Sequence, residues 1–469
     1  MKEDFKIKNI CCIGAGYVGG PTMTVIAKNC PNIEVFVVDI NEDRIASWND
    51  KDFNNLPIYE PGLKEIISRC RNTNLFFSSD IIKNLKSADM VFISVNTPTK
   101  TKGIGAGQAS DLKWVEASAR QISKYSRTGT IVVEKSTLPV KTAQTINTIL
   151  KYSKESDSKN AKEKKFTVLS NPEFLSEGNA ISDLVNPDRV LIGGEDQVSI
   201  NALMNIYLKW VKKEKIFTTD LWSSELSKLI ANALLAQRVS SINSFSALCE
   251  KTGANIKDVS LAIGLDKRIG KYFLNAGPGF GGSCFKKDIL NLIYICNHYG
   301  LKEVSAYWQK VLDINSWQQN RILSEIVNKM FGTITDKKLA IFGFAFKANT
   351  NDTRESPSIH ICKKLLEEGA KLAIYDPKVS PEQIKKDLFD KKSINKDDNL
   401  QICVSKKDAV LDADAIVILT EWDEFKNLQW EKISLLMRSP SWLFDTRSIC
   451  NIEEAQNHGI NVWSMGFGK

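Results

Sequence analysis

Two periods of apolar residues alternate along the chain and divide it into three stretches. In the first, short apolar runs dominate: residues 7–13 (Ile-Lys-Asn-Ile-Cys-Cys-Ile), 34–38, 89–95, 130–134 and 167–170. Runs this short predict strands, and those at 89–95 and 130–134, apolar throughout their centres at 90–93 and 131–133, predict parallel strands buried on both faces. The second stretch keeps helical period. From Trp222 to about Glu250 there is no Gly or Pro, and Leu226, Leu229, Ile230, Ala233, Leu234, Ile242, Phe245 and Leu248 recur at helical spacing. That predicts a helix about 40 Å long, able to act as a spine between two domains. Further helices through residues 311–331 predict an all-α middle segment. The third stretch repeats the first, with strands at 338–343 and 372–375, a helix at 356–368, and residues 413–418 echoing 88–93.

The polar tips of the strands say what the first stretch binds. Residues 7–13 run into Gly14-Ala15-Gly16-Tyr17-Val18-Gly19-Gly20, and the next strand ends at Asp39, 20 residues after Gly19. Strand, G-x-G-x-x-G, helix, strand, acid is the dinucleotide-binding fingerprint in its required context. The glycines allow a tight turn and close approach of backbone to a pyrophosphate at a helix N-terminus. Asp39 is placed to accept from the adenosine ribose, which predicts NAD rather than NADP, although Arg44 works against that discrimination. Thr97, in the tip Asn96-Thr97-Pro98-Thr99, and Ser136 and Thr137 end the later strands and are candidate cofactor contacts. The predicted fold class is therefore α/β: two Rossmann-like nucleotide-binding domains joined by a long central helix and an all-α middle segment. In the second repeat the turn Gly343-Phe344-Ala345-Phe346-Lys347 has lost the later glycines and gained a lysine. Such a turn suits a charged or hydroxylated ligand better than a dinucleotide.

The chemistry is predicted in the loop Gly277-Pro278-Gly279-Phe280-Gly281-Gly282-Ser283-Cys284-Phe285-Lys286-Lys287-Asp288. Its glycines exclude stable helix or strand and let backbone N–H groups approach a ligand. Ile289, Leu292, Ile293 and Cys296 then follow at helical spacing, so Cys284 falls where a helix begins. A thiol at a helix N-terminus beside Lys286 and Lys287 has two reasons to ionise, and the thiolate is the nucleophile. An isolated cysteine is usually a small core residue; here glycines, lysines and Asp288 gather around it. Lys228 and Asn232, four residues apart on the long helix, can present an ammonium and an amide together, against the plainer reading of two solvated side chains. Glu173 and Glu177 have the same spacing and fit one face of a turn, though such pairs are more often solvated.

Composition narrows the remaining classes. The 469 residues are 43% hydrophobic and 25% charged, enough for two or three domains. No apolar run approaches a membrane span, and the mixed charges at the N-terminus lead into a strand rather than a signal peptide. The ten cysteines form no CxxC pair, which predicts a reducing, cytoplasmic setting, and three scattered histidines offer no metal site. The net charge of +8 is not interleaved with aromatics as nucleic-acid readers require, and part of it lies in a predicted loop at 151–165.

Seven motifs, in order, carry a resemblance that covers nearly the whole chain. They are Gly14-Ala15-Gly16-Tyr17-Val18-Gly19, Asn96-Thr97-Pro98-Thr99, Glu134-Lys135-Ser136-Thr137, Asn171-Pro172-Glu173-Phe174-Leu175, Lys228-Leu229-Ile230-Ala231-Asn232, Gly279-Phe280-Gly281-Gly282-Ser283-Cys284-Phe285 and Phe344-Ala345-Phe346-Lys347. Together they resemble the UDP-glucose/GDP-mannose dehydrogenase family, most strongly its eukaryotic UDP-glucose members. The resemblance implies a four-electron oxidation of UDP-glucose at C6 to UDP-glucuronate with two NAD reduced; another nucleotide sugar, UDP-N-acetylmannosamine or GDP-mannose, is the alternative. It implies catalytic roles for Cys284, Glu173, Lys228, Asn232, Asp288 and Thr137. Cofactor contacts would come from Gly14, Gly16, Tyr17, Val18, Gly19, Asp39, Arg44, Thr97, Ser136, Thr137, Glu177, Lys287 and Arg354. Substrate contacts would add Phe174, Leu175, Arg268, Phe273, Phe280, Gly281, Phe285, Phe346, Lys347 and Arg447 to the catalytic set. The implied domains are 1–215 for NAD, 216–332 for helical dimerisation and catalysis, and 333–469 for the UDP-sugar. The implied assembly is a homodimer, which can build a hexamer as three dimers. Arg268, in a turn-rich stretch where it has no evident local partner, would reach the sugar of the neighbouring subunit.

Overall fold

The computed structural model describes residues 6–136, 142–154, 162–389 and 398–468. Thr137 and residues 155–161 of the predicted 151–165 loop lie outside them; within that loop the helix Thr142–Lys151 ends and Lys154 bridges Glu163. By packing, the chain forms two units. One comprises Met1–Ala231 with Leu290–Tyr299, the other Asn232–Ile289 with Gly300–Lys469.

The first unit is built on an eight-stranded sheet. Its strands are Asn9–Ile13 (β1), Glu34–Val38 (β2), Leu75–Ser78 (β3), Met90–Ile93 (β4), Ile131–Glu134 (β5), Thr167–Ser170 (β6), Val190–Gly193 (β7) and Ile216–Thr219 (β8), in the order β3-β2-β1-β4-β5-β6-β7-β8. The first six run parallel, while β7 meets β6 antiparallel, at Ser170 and Gly193. β4 and β5 are buried at every residue, as their unbroken apolar runs require. The strand order reverses between β1 and β4, and ligands of such sheets bind beyond the carboxyl ends there. At that point Gly14 turns with φ +109°, and a Cβ on it would sit 2.2 Å from the Ser94 carbonyl oxygen. Only glycine fits. Gly20 opens the following helix, Gly19–Asn29, against the Trp48 ring, which stacks on Phe77 at 4.7 Å and donates from Nε1 to the Ala15 carbonyl at 3.0 Å. Trp48 thus clamps the glycine turn from below.

The second unit repeats the plan with a six-stranded parallel sheet. Its strands are Lys338–Phe342 (β9), Lys371–Tyr375 (β10), Leu400–Ile402 (β11), Ala415–Ile418 (β12), Trp442–Asp445 (β13) and Asn461–Ser464 (β14), ordered β11-β10-β9-β12-β13-β14. The helix Pro357–Glu367 begins as predicted, with the Ser356 hydroxyl accepting from the Ser358 N–H and Pro357 at the first position.

The predicted long helix runs from Leu221 to Thr252, 32 residues or about 48 Å. The boundary between the two units falls within it, between Ala231 and Asn232. The helices Ile256–Gly264, Phe285–His298 and Lys302–Lys329 complete the predicted all-α segment.

Candidate active site

In the first unit the nucleotide end is shaped by the glycine turn and Asp39. Gly16, Tyr17 and Val18 are half-buried, and a Cβ on Gly16 would meet nothing within 4 Å, so the turn is open where a phosphate would approach. Gly19 is closed: its Cβ would lie 2.0 Å from the Gly14 carbonyl oxygen. Asp39 is buried, and its carboxylate accepts from the Ala15 N–H at 2.9 Å, the Asn41 N–H at 3.0 Å and Arg44 Nη1 at 3.2 Å. Arg44, the residue weighed against NAD, is therefore held on Asp39 itself. Thr97 and Ser136 are buried at the ends of β4 and β5, and the Ser136 hydroxyl donates to the Val95 carbonyl at 2.9 Å. An open backbone cradle with a buried acid beside it fits a dinucleotide.

The same unit holds Glu173 in the loop that follows β6. The expected shared face with Glu177 is not formed, because residues 171–176 have no helical structure. Pro172 interrupts the chain, and Glu173 turns its own carboxylate back on the loop, accepting from the Phe174 N–H at 2.8 Å and the Leu175 N–H at 3.1 Å. Downstream the loop is pinned by Asp183, which accepts from Ser176, and by Glu60, which accepts from Gly178 and Ala180. The other Glu173 oxygen meets the Lys135 ammonium at 2.8 Å. Burial by itself raises the acid's pKa, but the Lys135 charge and hydrogen bond, the Phe174 amide and the charge of Lys228 together hold it below the usual glutamate value. Phe174 lies under two cations, Arg189 at 3.9 Å and Lys228 at 5.2 Å from the ring centre.

Lys228 and Asn232 are both buried, which excludes the reading as solvated side chains. Within the second unit the Asn232 amide donates to Asp288 Oδ2 at 2.6 Å, and Lys287 Nζ lies 3.6 Å from Asp288 Oδ1. Asp288 is buried in the first turn of the helix Phe285–His298, and its N–H donates to the Cys284 carbonyl at 2.8 Å. Cys284 thus stands at the head of that helix, as its sequence predicts. Of the ten cysteines nine are buried and Cys284 is half-buried. Burial pushes Cys11 up to about 12 and Cys30 to about 11, so those thiols stay protonated. The Ser283 hydroxyl is 3.3 Å from the Cys284 sulfur. Lys286, expected beside the thiol, instead pairs with Glu355 at 2.8 Å.

The glycine loop packs on the second nucleotide fold. A Cβ on Gly281 would reach the Glu355 carbonyl oxygen at 2.6 Å and Phe346 Cβ at 2.9 Å, and the Gly282 N–H donates to the Arg354 carbonyl at 2.8 Å. Phe285 is flanked by Phe280 at 5.8 Å and Phe273 at 6.2 Å, and Lys347 Nζ is 5.9 Å from the Phe346 ring centre. Arg447 bonds the Leu419 and Phe346 carbonyls and pairs with Glu421 at 3.1 Å. Arg354 is paired with Asp352. Most residues expected around the sugar nucleotide in this unit are thus gathered on one loop-and-turn surface. Arg268 corrects its expectation: it has a local partner, Asp266, with Nη2 to Oδ2 at 2.6 Å, and the pair is exposed. An aspartate two residues earlier in an open turn can fold back on it. Sequence reasoning assigned no role to Lys135, Tyr207, Asn171, Glu355 or Glu421. Among the described residues no cluster of His, Cys, Asp and Glu forms a metal site, and no helix is long and apolar enough to cross a membrane.

Comparison with known proteins places these observations. Residues 8–211 match the model of the UDP-glucose/GDP-mannose dehydrogenase family's NAD binding domain, 222–317 its central domain and 340–452 its UDP binding domain. The chain is an NAD-dependent oxidoreductase. It belongs to the UDP-glucose/GDP-mannose dehydrogenase family. It is 53% identical to UDP-glucose 6-dehydrogenase 1 of Glycine max, over 97% of this chain and 96% of that one. Identity to UDP-glucose 6-dehydrogenase of Bos taurus is 54%, over 98% and 94%. Among solved structures, a UDP-glucose dehydrogenase from Pyrobaculum islandicum superposes with a TM-score of 0.83 at 27% identity, over the full length of both chains.

Proposed function

We propose that the chain oxidises the C6 alcohol of UDP-glucose to the carboxylate of UDP-glucuronate, with covalent capture on Cys284 between two oxidations. The observation that carries this reading is the half-buried Cys284 at the head of its helix, with the Asn232–Asp288 pair one turn on. Identity above 50% to enzymes named for UDP-glucose supports the substrate. When bound, NAD accepts a hydride from C6 in each oxidation. The first oxidation removes the O6 proton and a C6 hydride, leaving an aldehyde. Lys228 and Asn232 stabilise charge on the oxygen, while Asp288 helps Lys228 or a water manage the proton. The Cys284 thiolate adds to the aldehyde carbon, and loss of a second hydride turns the thiohemiacetal into a thioester. Water activated by Glu173 attacks the acyl carbon, the C–S bond breaks and the thiolate returns. In sum, alcohol, water and two NAD give carboxylate, two NADH and three protons.

Lys347, Arg447, Phe346 and the Phe273–Phe280–Phe285 cluster hold the sugar nucleotide, with Phe174, Leu175 and Gly281 completing the substrate side. Glu177 and Arg354 border the nicotinamide, Lys287 contacts the cofactor, and Thr137 joins the catalytic set. The division of labour is 1–215 for NAD, 216–332 for catalysis and dimer contact, and 333–469 for the UDP-sugar. Phe245, Leu248, Leu261, Leu265 and Tyr272 are exposed apolar residues of the helical segment. A second copy of the chain covers such residues in a two-fold contact, from which Arg268 acts in trans. Ten cysteines, none joined in a disulfide, suit the cytoplasm.

The test is a quenched single turnover followed by intact-protein mass measurement. Two NADH per sugar and no free aldehyde are expected. Glu173→Gln should accumulate a thioester on Cys284, and Cys284→Ser should abolish steady formation of the acid. One NADH per sugar, or faster turnover of UDP-N-acetylmannosamine or GDP-mannose, overturns the assignment.

A further inference from the structure

The buried ammonium of Lys135 has no place in the chemistry so far. It follows β5, and its side chain is 3% exposed. The register Glu134↔Ser170 between β5 and β6 sets Lys135 beside Asn171. Its Nζ donates to Asn171 Oδ1 at 3.1 Å and to the Tyr207 hydroxyl at 3.2 Å, and meets Glu173 Oε2 at 2.8 Å. The Tyr207 hydroxyl in turn donates to Asn171 Oδ1 at 2.6 Å, and the Asn171 amide donates to the Leu191 carbonyl at 2.7 Å. Each partner of the ammonium is thereby fixed by a further bond. A buried ammonium is a costly way to brace a loop, since apolar side chains of similar volume pack at least as well. What it supplies and they do not is a positive charge against one carboxylate oxygen.

We propose that Lys135 is the positioning residue for the base: it orients the Glu173 carboxylate and keeps it ionised for clearing the thioester. This rests on the assignment of Glu173 as that base. The Glu173 side chain is 13% exposed, with one oxygen on two backbone amides and the other on Lys135 and, at 3.5 Å, the Thr22 hydroxyl. Its rotation is fixed and a small face stays open. Other charged or titratable groups face the site from neighbouring elements. Lys228 comes from the long helix and Tyr207 from the helix Gln197–Tyr207; Arg189, ahead of β7, and Asp183 line a cavity of about 20 Å³ with Tyr207, Lys135 and Glu173. Asp183 is already engaged by the Ser176 N–H and Arg189 by the Phe174 ring. Burial of Glu173 favours its neutral form, and Lys135 provides the leading opposing charge.

Quenched single turnovers across about pH 5 to 8 test this, with NADH formation read beside clearance of the thioester mass. In the wild type, clearance should not lose rate through protonation of Glu173 within that window, because its neighbours hold the acid below the usual glutamate value. Removal of an adjacent cation raises a carboxyl pKa by about one to three units. Lys135→Met should therefore move the acidic limb of clearance upward by that amount, slowing it at the low end by up to about a hundredfold while leaving the rate near pH 8 close to wild type. The first NADH should form at near wild-type rate with unchanged KM for the sugar, and Lys135→Arg should restore much of the clearance. A folded Lys135→Met with a wild-type clearance profile, or with a loss uniform across pH, overturns the proposal. Should that variant not fold, the wild-type profile decides alone: a carboxyl limb within the window that Glu173→Gln removes also overturns it. If Glu173→Gln itself clears the thioester normally, the assignment of the base fails instead.

Discussion

Asp39 is asked to do two things, and its contacts allow them to be separated. Its carboxylate accepts from the buried Ala15 N–H, from Asn41 and from Arg44, and we propose that it also accepts from a ribose hydroxyl of NAD. Asp39→Ala leaves the Ala15 N–H buried without its acceptor, a cost of about 1–3 kcal/mol. The Arg44 pair adds little, since that side chain is 43% exposed and solvent screens the contact. The same substitution frees Arg44 to meet a 2′-phosphate, a charged hydrogen bond worth about 1.5–3 kcal/mol, or about ten- to hundredfold in the kcat/KM ratio of NADP to NAD. Asp39→Asn retains an acceptor oxygen but not the charge. It should stay within about 1 kcal/mol of wild-type stability while losing the repulsion that excludes NADP. Thermal unfolding and steady-state kinetics with both cofactors measure the two quantities. Both variants should relax discrimination, and only Asp39→Ala should also lower Tm. An Asp39→Asn enzyme with wild-type preference for NAD would refute the role given to the charge.

Two further outcomes follow from the second unit. Gly281→Ala places a methyl 2.6 Å from the Glu355 carbonyl oxygen, so the loop must shift; about 1–3 kcal/mol of stability should be lost, with a higher KM for UDP-glucose and unchanged affinity for NAD. Unaltered melting and KM would mean the loop is not held against Phe346 in solution. Mixing Arg268→Ala with Cys284→Ser under subunit exchange should restore about a quarter of wild-type sites, because each mixed dimer regains one complete site. Demonstrated exchange without recovered activity would place Arg268 within its own chain's site or outside it.

What the sequence showed, and what it hid, follows separation along the chain. β4 and β5 were legible because solid apolar runs leave no other burial pattern, and the helix Leu221–Thr252 because nothing breaks its period. β8 and β11 were not: both are short edge strands, only partly buried, with no apolar signature. Cys284 at a helix start was legible because the signal is local. The partner of Lys286 was not, since Glu355 lies 69 residues away and meets it only through the fold. Lys135 stood inside a quoted motif, yet its meeting with Glu173 depends on β5 and β6 being neighbours. Glu173 and Glu177 misled for the opposite reason, since their spacing means a shared face only in a helix, and Pro172 opens a loop.

The repeat itself explains how one fold serves two ligands. Gly14 and Gly343 are equivalent: each follows its first strand, has positive φ, and donates its N–H to the end of the next strand, at Val38 and Tyr375. Each repeat then has an acid that accepts from the turn, Asp39 from Ala15 and Asp376 from Phe344 and Ala345. The turns part at the next position. Gly16 is half-buried with open space where a Cβ would go, whereas Ala345 is fully buried and its carbonyl accepts from the Thr420 hydroxyl at 2.6 Å. Asp376 also accepts from Trp422 Nε1 at 3.2 Å, under a buried indole. The second repeat has thus filled the space that stays open beside Gly16 and engaged its acid with an indole. Its polar chemistry moves outward to Lys347, Arg447 and Glu421, on the surface where the glycine loop of Cys284 packs. The match of 340–452 to the family's UDP binding domain, beside that of 8–211 to its NAD binding domain, assigns the two differing turns to different nucleotides.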